Sequence, residues 1–257
     1  MNQVNPSRTD RIVILGALSA IAEATARQLA ANGASLALVA RDGERLAAVA
    51  DDLRVRGATL VTEHVLDLVD HEDKSAALAD ITEALGGLDG ALLFYGVLGD
   101  QDNANSNPQE VRRIIDVNFT SAAEWTTAAA TRLKESSADR PCLVAISSVA
   151  GDRGRRSNYA YGAAKGGLSV FLQGLAHRFA DEGRIHAVAL KLGFVRTPMT
   201  AHLKTSGPLW ADPDDIAKIV LRAMKKGGPI QYGPGFWRLV MLAIRSTPSF
   251  VFNRVNL

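Results

Sequence analysis

The chain has 257 residues, of which 47% are hydrophobic and 22% are charged, so it is long enough to bury a full core and has the composition of a globular protein. Its net charge of +2 is small and no DNA-binding or RNA-binding motif is present, which excludes nucleic-acid binding as the main function. The single cysteine, Cys142, excludes an internal disulfide, and beside a predicted strand we expect it to be a buried apolar residue. The sequence predicts one domain over residues 1–257.

Residues 1–10 are polar and lack the apolar stretch of a signal peptide, so we expect a flexible N-terminus and a protein of the reducing cytoplasm. No segment reaches the roughly 18 apolar residues needed to span a bilayer. The sequence also predicts no metal site.

Short apolar runs alternate with helical patterns from residue 11 to residue 190. The run RIVIL has the composition of a strand buried on both faces, and the apolar spacing that follows predicts a helix ending at Asn32-Gly33. The predicted strands are 11–15, 35–40, 60–64, 90–94, 143–147 and 185–190, and the predicted helices are 21–30, 44–56, 71–85, 108–134 and 159–180. This rhythm predicts right-handed crossovers and a parallel sheet.

Two segments after the last predicted strand differ from this pattern. Residues 193–213 are rich in loop residues and predict a lid over a substrate site. Residues 235–257 form an apolar and basic tail, and no acidic residue follows Asp215. Such a tail suits an anionic membrane surface, at the inner face of the membrane, or packs as a helix on the domain or on a partner subunit. Both interpretations stay open.

A hydroxyl, a phenol and an amine are spaced so that they could act together. Tyr161 and Lys165 are four residues apart in a predicted helix, so both side chains share one face. An ammonium about 4 Å away would favour the phenolate by roughly 4 kcal/mol, or about three pKa units, at an effective dielectric near 20. Ser148 ends a strand and could hold a carbonyl oxygen against the phenol. Tyr159 has Ala163 four residues later, which supplies no charge, so we do not assign it the role.

This Ser, gap, Tyr-x-x-x-Lys pattern resembles the short-chain dehydrogenase/reductase superfamily. The resemblance implies a Rossmann fold, a doubly wound α/β sheet of about seven parallel strands in the order 3-2-1-4-5-6-7 with helices on both faces. It implies that Ser148 orients the substrate oxygen, that Tyr161 donates the proton, and that Lys165 binds the nicotinamide ribose. Asn118, in the run DVNF, matches the asparagine that completes a proton relay in that family.

The loop LGALSAIA joins the first strand to the first helix, where free N–H groups and the helix dipole would favour a phosphate. In the family this segment is usually Thr-Gly-x-x-x-Gly-Ile-Gly, so Gly16 and Ile21 match while Ala20 and Ala22 replace glycines. The resemblance implies a pyrophosphate site that includes these residues: Gly16, Leu18, Ser19, Ala20 and Ile21.

Arg41 follows the second strand, where a cation would accommodate the 2′-phosphate of NADP. We therefore expect NADPH as the cofactor, although Asp42 beside it keeps NAD open and Arg41 could equally be a solvated loop charge. Asp67 and Leu68 follow the third strand and resemble the pair at which the family binds adenine. Asp67 could instead be a helix N-cap.

Two further segments resemble family patterns only in part. After the fourth strand the usual Asn-Asn-Ala-Gly is replaced by Leu93-Phe94-Tyr95-Gly96, so the bracing asparagines are missing while Tyr95 and Gly96 stand at the cofactor site. In LGFVRTPM, the resemblance implies that Thr197 contacts the nicotinamide amide and that the backbone of Val195 lies against the ring. A leucine replaces the usual proline there.

Residues 96–100, 147–156, 195–203 and the C-terminal run resemble the reductases of decaprenylphosphoryl-2-keto-ribose, which act on a keto sugar carried on a polyprenyl phosphate. This resemblance implies a lipid-linked keto substrate. Three arginines between the serine and the tyrosine could reach a substrate phosphate or form a solvated loop: Arg153, Arg155 and Arg156.

The same sequence leaves two other functions open. One is a generic carbonyl reductase acting on a small-molecule substrate such as a 3-oxoacyl thioester, for which the basic loop would meet an acidic carrier protein. The other is a regulatory module that binds a dinucleotide without turnover. The family resemblance also implies a homodimer or homotetramer formed through the helices of Asn118 and Tyr161.

Overall fold

Short apolar segments form a seven-stranded parallel sheet in a computed structural model, which describes residues 10–181, 183–201 and 207–254. The strands are β1 (Arg11–Leu15), β2 (Ser35–Ala40), β3 (Leu60–Val65), β4 (Gly90–Leu93), β5 (Cys142–Ser148), β6 (His186–Leu192), β7 (Phe194–Val195), β8 (Trp210–Ala211) and β9 (Ile230–Gly233). The large sheet has the order β3-β2-β1-β4-β5-β6-β9, and β7 pairs with β8 in a separate two-stranded sheet.

Helices cover both faces of the large sheet. They are α1 (Ala20–Ala30), α2 (Gly43–Val55), α3 (Lys74–Ala84), α4 (Gln101–Ala104), α5 (Pro108–Ile115), α6 (Ser121–Leu133), α7 (Tyr159–Arg178), α8 (Pro213–Lys226), α9 (Trp237–Ser246) and α10 (Ser249–Phe252). A π-helical segment over Asp116–Thr120 joins α5 to α6, and short 3₁₀ turns follow β5 at Val149–Asp152 and β7 at Pro198–Thr200.

The alternation of side chains along β1 shows how two cores form. Ile12 and Ile14 lie in the core beneath α1, α2 and α8, whereas Val13 and Leu15 lie in the core beneath α3, α6 and α7. Successive residues of a strand point to opposite faces, and all four of these side chains are at most 1% exposed. A strand buried on both faces must therefore be continuously apolar, as this run is.

The predicted Rossmann fold and strand order are confirmed, with β9 as the seventh strand of the sheet. Cys142 is buried as expected, and burial raises the pKa of its thiol to about 12. The helix predicted over 108–134 is wrong in detail, because the π-helical segment interrupts it. Helix α3 begins at Lys74 rather than at residue 71, since Asp73 caps it through the backbone N–H of Ala76.

Several predicted segments fall partly outside the described residues. Residues 1–9 lie outside them, as do 202–206 of the predicted lid and 255–257 of the predicted tail. The described part of 193–213 contains β7, the 3₁₀ turn and β8. Among the helices that the structure describes, none has the length and apolar character required to cross a membrane. No cluster of three potential metal ligands occurs in the same described ranges.

Candidate active site

Ser148 is the last residue of β5, at the edge of the sheet where the parallel strands end. This carboxyl edge is where open α/β sheets bind their ligands. The backbone N–H of Ala150 donates to Ser148 Oγ over 3.1 Å, which fixes the hydroxyl at the start of the 3₁₀ turn. The serine is therefore held in place before any substrate arrives.

Helix α7 lies very close to this turn because glycines face each other across the contact. A Cβ on Gly151 would lie 2.5 Å from the backbone nitrogen of Gly166, so a larger residue would force the helix and the turn apart. The close approach brings the Tyr161 hydroxyl near enough to Ser148 for the serine to oppose a rise in the pKa of the phenol. The structure thus places together the two hydroxyls that the sequence predicted would meet a carbonyl oxygen.

Lys165 is buried on α7, with only 3% of the residue exposed. Its Nζ donates to the carbonyl oxygen of Ile146 over 3.0 Å, and burial lowers the pKa of the ammonium to about 8. Ser147 Oγ donates to the carbonyl oxygen of Lys165 over 2.9 Å and lies 2.7 Å from Ser169 Oγ. These two serines fasten this turn of α7 to β5. Sequence reasoning missed them, although Ser147 was visible as a polar residue inside an apolar strand.

The predicted effect of Lys165 on Tyr161 is wrong in this structure. Burial raises the pKa of Tyr161 to about 12, and Ser148 opposes this rise only in part. Lys165 Nζ lies 6.0 Å from the centroid of the Tyr161 ring and bonds instead to Ile146. The phenol is consequently neutral, although the two side chains share one site.

Asn118 is fully buried in the π-helical segment. Its Nδ2 donates to the carbonyl oxygen of Val97 over 2.8 Å, and its Oδ1 accepts from the backbone N–H of Val97 over 3.1 Å. A Cβ on Gly96 would lie 2.6 Å from Asn118 Oδ1 and 3.2 Å from Lys165 Nζ, so both polar groups converge on Gly96. Such π-helical segments are frequent at functional sites.

Gly16 makes the turn between β1 and α1, with a φ of +84° that L-residues rarely adopt. A Cβ at this position would also lie 2.8 Å from the Cβ of Tyr95. Both the backbone conformation and the neighbouring chain therefore require glycine here, as the family pattern implied.

The N-terminus of α1 follows this turn. Its first N–H groups, from Ala20 onward, have no partner within the helix, and Ser19 at the N-cap makes no capping bond with its side chain. Ala22, which replaces a glycine of the family pattern, is fully buried in the core. Ile21 is also buried, and Leu18 packs at the edge of the same core. The methyl group of Ala22 thus leaves the turn open. The segment fits the pyrophosphate of a dinucleotide.

Arg41 and Asp67 lie near each other after β2 and β3. Arg41 Nη1 is 3.2 Å from Asp67 Oδ2, while 76% of the arginine side chain is exposed. Burial alone would raise the pKa of Asp67, but hydrogen bonds from the N–H groups of Val69 and Asp70 and from Arg41 outweigh it and lower the pKa. Asp67 closes a turn and does not cap α3, whose N-cap is Asp73, so the N-cap interpretation was wrong.

Tyr95 belongs to a hydrogen-bonded network that the sequence did not predict. Its hydroxyl lies 2.9 Å from Ser121 Oγ, which donates to the carbonyl oxygen of Leu68 over 2.6 Å, and Trp125 Nε1 donates to the same oxygen over 2.8 Å. Burial raises the pKa of the phenol. The network ties the ends of β3 and β4 to α6 where the family asparagines are missing. The side chain of Leu68 is buried, and its contacts in this network are made by its backbone carbonyl oxygen.

Val195 and Thr197 lie where the chain leaves the sheet edge. Val195 is 5% exposed and pairs with Ala211 of β8. Thr200 Oγ1 donates to the carbonyl oxygen of Val195 over 2.6 Å and accepts from the N–H of Thr197 over 3.2 Å. One threonine side chain therefore fixes both predicted nicotinamide contacts, although Thr200 itself was not singled out from the sequence.

Arg153 fastens the C-terminal segment to the turn after Ser148. Its Nη1 donates to the carbonyl oxygens of Ile244 and Thr247, each over 2.5 Å, at the end of α9. The guanidinium carbon lies 3.8 Å from the centroid of the Phe252 ring, a cation–π contact. Arg153 is therefore not a solvated loop charge.

The other two arginines of this loop also face the C-terminal segment. Arg156 Nη2 donates to the carbonyl oxygen of Asn253 over 3.0 Å. Arg155 Nη2 lies 3.6 Å from the sulfur of Met241, and burial lowers the pKa of its guanidinium. The solvated-loop interpretation is therefore wrong for Arg155, whereas Arg156 is an exposed residue.

Helix α9 packs beside Ser148. Its buried residues, Trp237 and Met241, pack against Val149, the residue after Ser148. The opposite face exposes Leu239 by 71% and Leu242 by 59%. The tail therefore packs one face on the domain, as one of the two interpretations held, and leaves apolar side chains at the surface.

The comparisons with known proteins agree with this geometry. The family model for short chain dehydrogenases matches residues 10–207. An uncharacterized oxidoreductase of Mycobacterium tuberculosis is 34% identical over 244 residues, which cover 95% of this chain and 96% of that protein. A short chain dehydrogenase of Shigella flexneri complexed with NADP is 26% identical with a TM-score of 0.77, covering 87% and 96% of the two chains. The 3-oxoacyl-[acyl-carrier protein] reductase of Brucella melitensis in complex with NAD has the same identity and TM-score, covering 90% and 98%.

The family model spans most of the chain, and the residues at the carboxyl edge of the sheet have the arrangement described above. The chain therefore belongs to the short-chain dehydrogenase family and is an NAD(P)-dependent oxidoreductase.

Proposed function

We propose that the protein is a ketoreductase that reduces a phosphorylated or polyprenyl-phosphate-linked keto sugar to an alcohol, with NADPH as its preferred cofactor. The observation that carries the reaction type is the convergence of Ser148, Tyr161, Lys165 and Asn118 at one end of the sheet. Each contributes a different part of the proton path.

The Ser148 and Tyr161 hydroxyls would both donate to the substrate carbonyl oxygen. Nicotinamide supplies the hydride when the cofactor is bound. The Tyr161 proton then goes to the oxygen as it gains negative charge, so the carbonyl becomes an alcohol. With a pKa of about 12 the phenol carries that proton at neutral pH, which suits reduction rather than oxidation.

Lys165 and Asn118 would restore the proton to Tyr161. The ammonium has a pKa of about 8, so it is mostly protonated at pH 7 but gives up its proton readily. Asn118 lies beside the same glycine as Lys165 Nζ, and its bonds to Val97 hold it there. Lys165 would also hold the nicotinamide ribose.

Two observations support NADPH over NADH. Arg41 is mostly exposed and uses one nitrogen for Asp67, which leaves the rest of its guanidinium fork for a 2′-phosphate. Asp42, the acidic residue that kept NAD open, accepts from the N–H of Arg45 over 3.1 Å as the N-cap of α2. Its carboxylate is thus already engaged.

The substrate class rests on the charge beside the site. The loop after Ser148 carries three arginines, and a phosphate-bearing keto sugar offers the matching anion. The second candidate is a 3-oxoacyl thioester, favoured by the structural likeness to the Brucella melitensis reductase. In that case the basic loop would meet an acidic carrier protein.

We also infer an assembly and a location from the same surfaces. The helices that carry Asn118 and Tyr161 would pair in a homodimer or homotetramer, and light scattering of the purified chain tests this. The exposed leucines of α9 together with Arg238 and Arg245 suit peripheral contact with an anionic membrane. Vesicle sedimentation tests that contact.

The decisive experiment compares two phenol deletions on one helix. Tyr161→Phe is expected to lower kcat/KM for ketone reduction by about 10²- to 10⁴-fold, because it removes the general acid. Tyr159→Phe is the matched control, since that phenol is 47% exposed and bonds only to Asn105 Oδ1 among the described residues. Fluorescence titration with NADPH and NADH verifies that both variants still bind cofactor.

The substrate panel for this experiment contains free, phosphorylated and prenyl-phosphate-linked keto sugars and 3-oxoacyl thioesters. Turnover of thioesters without turnover of any keto sugar would favour the second candidate. Full activity of Tyr161→Phe would refute the assigned proton donor. Cofactor binding without turnover of any substrate would favour the regulatory module.

A further inference from the structure

A cavity of about 370 Å³ lies between the loop after the catalytic turn and the C-terminal helix α10. We call it the arginine pocket, and it is lined chiefly by Arg153, Arg155, Arg156, Ser249 and Asn253. Three arginines thus line one space that is partly open to solvent.

The charge of the arginine pocket is not balanced by its own lining. No carboxylate is among its described lining residues. The nearest acid along the chain, Asp152, is already engaged, since it pairs with Lys191 through one oxygen and accepts from the hydroxyl of Tyr232 over 2.8 Å through the other. The pocket is therefore electropositive.

The three arginines are not equally satisfied. Arg153 and Arg156 donate to main-chain carbonyl oxygens at the ends of α9 and α10. Arg155 Nη2 lies 3.6 Å from the sulfur of Met241, a weak acceptor, and its buried Nε has no hydrogen-bond partner in the part of the chain that the structure describes. The charge of Asp152 favours the charged guanidinium without a hydrogen bond to it among the described residues. The guanidinium of Arg155 therefore has no strong acceptor among the described residues, and an anion in the pocket would supply one to its remaining N–H groups.

The position of the arginine pocket links it to the reaction. Arg153 follows Ser148 by five residues, and the 3₁₀ turn between them rises only about 2.0 Å per residue. The arginine pocket therefore adjoins the turn that begins after Ser148, and the proposal requires one molecule to reach from the pocket to Ser148.

We propose that the arginine pocket is a binding site for a phosphate ester, with Arg155 as its principal ligand and Arg153 and Arg156 holding the walls. A guanidinium matches two phosphate oxygens with two parallel N–H groups, and Arg155 is the arginine of this pocket that makes no hydrogen bond to a main-chain carbonyl among the described residues. This inference rests on the proposed function for the identity of the ester, a phosphorylated substrate, but the site itself can be tested without turnover.

The test is calorimetric titration of the full chain with a phosphate monoester, glycerol phosphate, in the presence of saturating NADPH so that the cofactor site cannot take the probe. Wild type is expected to bind saturably, and Arg155→Gln is expected to bind about ten- to a hundredfold more weakly. Arg155→Lys keeps the charge without the fork and should fall between them. Arg222→Gln removes one exposed charge from α8 and should bind as wild type does.

Circular dichroism and thermal unfolding verify that each variant is folded. If Arg155→Gln does not fold, the comparison of Arg155→Lys with wild type carries the test, since the lysine variant keeps the buried charge. Equal affinity of the folded Arg155 variants and wild type, or no saturable binding by wild type, would overturn the inference.

Sedimentation with phosphatidylcholine vesicles, with and without phosphatidic acid, distinguishes two sources of the phosphate. If Arg155→Gln weakens binding of glycerol phosphate but not of the phosphatidic acid vesicles, the site binds a soluble ester. If the variant also weakens binding of the vesicles, the site binds a lipid-linked ester. Phosphate binding that depends on Arg155, without reduction of any ketone, would refute the proposed function and leave the arginine pocket standing. Reduction of a keto sugar without phosphate binding would refute only the pocket.

Discussion

The buried ammonium of Lys165 destabilises the fold in a way that depends on pH. Removing a charge from water is costly, and the one hydrogen bond to Ile146 does not compensate for it, because the pKa remains well below the ordinary 10.5. We therefore expect Lys165→Met to change the pH dependence of stability as well as to abolish ketone reduction.

The magnitude follows from the change in pKa. The folded value of about 8 lies about 2.5 units below 10.5, and each unit corresponds to about 1.4 kcal/mol, so the full cost is about 3 kcal/mol. Below pH 8 the lysine is charged in both states and the whole cost is present. Between about pH 8 and 10.5 the folded state releases its proton while the unfolded state keeps it, so the free energy of unfolding rises with pH.

The assay is urea denaturation of wild type and Lys165→Met from pH 7 to pH 10 without cofactor. The free energy of unfolding of wild type minus that of the variant should rise by about 2–3 kcal/mol across this range, because the difference cancels every other titrating group. Lys225→Met, at an exposed lysine of α8, reports the effect of losing a surface lysine. A difference for Lys165→Met that stays flat or falls with pH would refute the assigned burial cost.

Three further substitutions test other parts of the site. Gly16→Ala should lower the free energy of unfolding by about 1–3 kcal/mol and weaken NADPH binding. The reason is that alanine would have to adopt a φ of +84° and would also contact Tyr95. Unchanged urea denaturation would contradict this prediction. Tyr95→Phe should lower it by about 1 kcal/mol through loss of its 2.9 Å hydroxyl bond, whereas Tyr159→Phe should change it by less than about 0.5 kcal/mol. Arg41→Gln should weaken NADPH binding about tenfold and leave NADH binding nearly unchanged in fluorescence titrations, and equal effects on both would refute its role.

The sheet was predictable because each central strand is a short apolar run between turn residues. Strands such as RIVIL and SLALVA are buried on both faces. Burial on both faces requires a nearly continuous run of apolar residues, which is visible in the sequence. The π-helical segment was not predictable in the same way, because the apolar pattern continues through Asp116–Thr120. The π-helical segment coincides with a tertiary contact, because the side chain of Asn118 forms hydrogen bonds with the backbone of Val97, 21 residues away.

Site residues were predictable where their spacing is local and not where their partners are distant. Tyr161 and Lys165 share a helix face, so their proximity followed from sequence, but the pKa of the phenol did not, since it depends on burial by other segments. Arg153 illustrates the same limit, because its partner Ile244 is 91 residues away. The sequence does not show which way the arginines of a loop point, because that depends on a distant segment packing over the loop.

Three segments that pack on the turn after Ser148 lie beyond residue 207, where the match to the family model ends. Trp237 packs on Val149, the hydroxyl of Tyr232 donates to Asp152 over 2.8 Å, and Arg153 holds the end of α9. All three contacts involve the turn that follows Ser148. We therefore expect substitutions in the C-terminal segment to change the environment of the Ser148 hydroxyl. We therefore expect the family pattern to account for hydride transfer and proton donation, and the choice of substrate to depend on residues that this pattern does not specify.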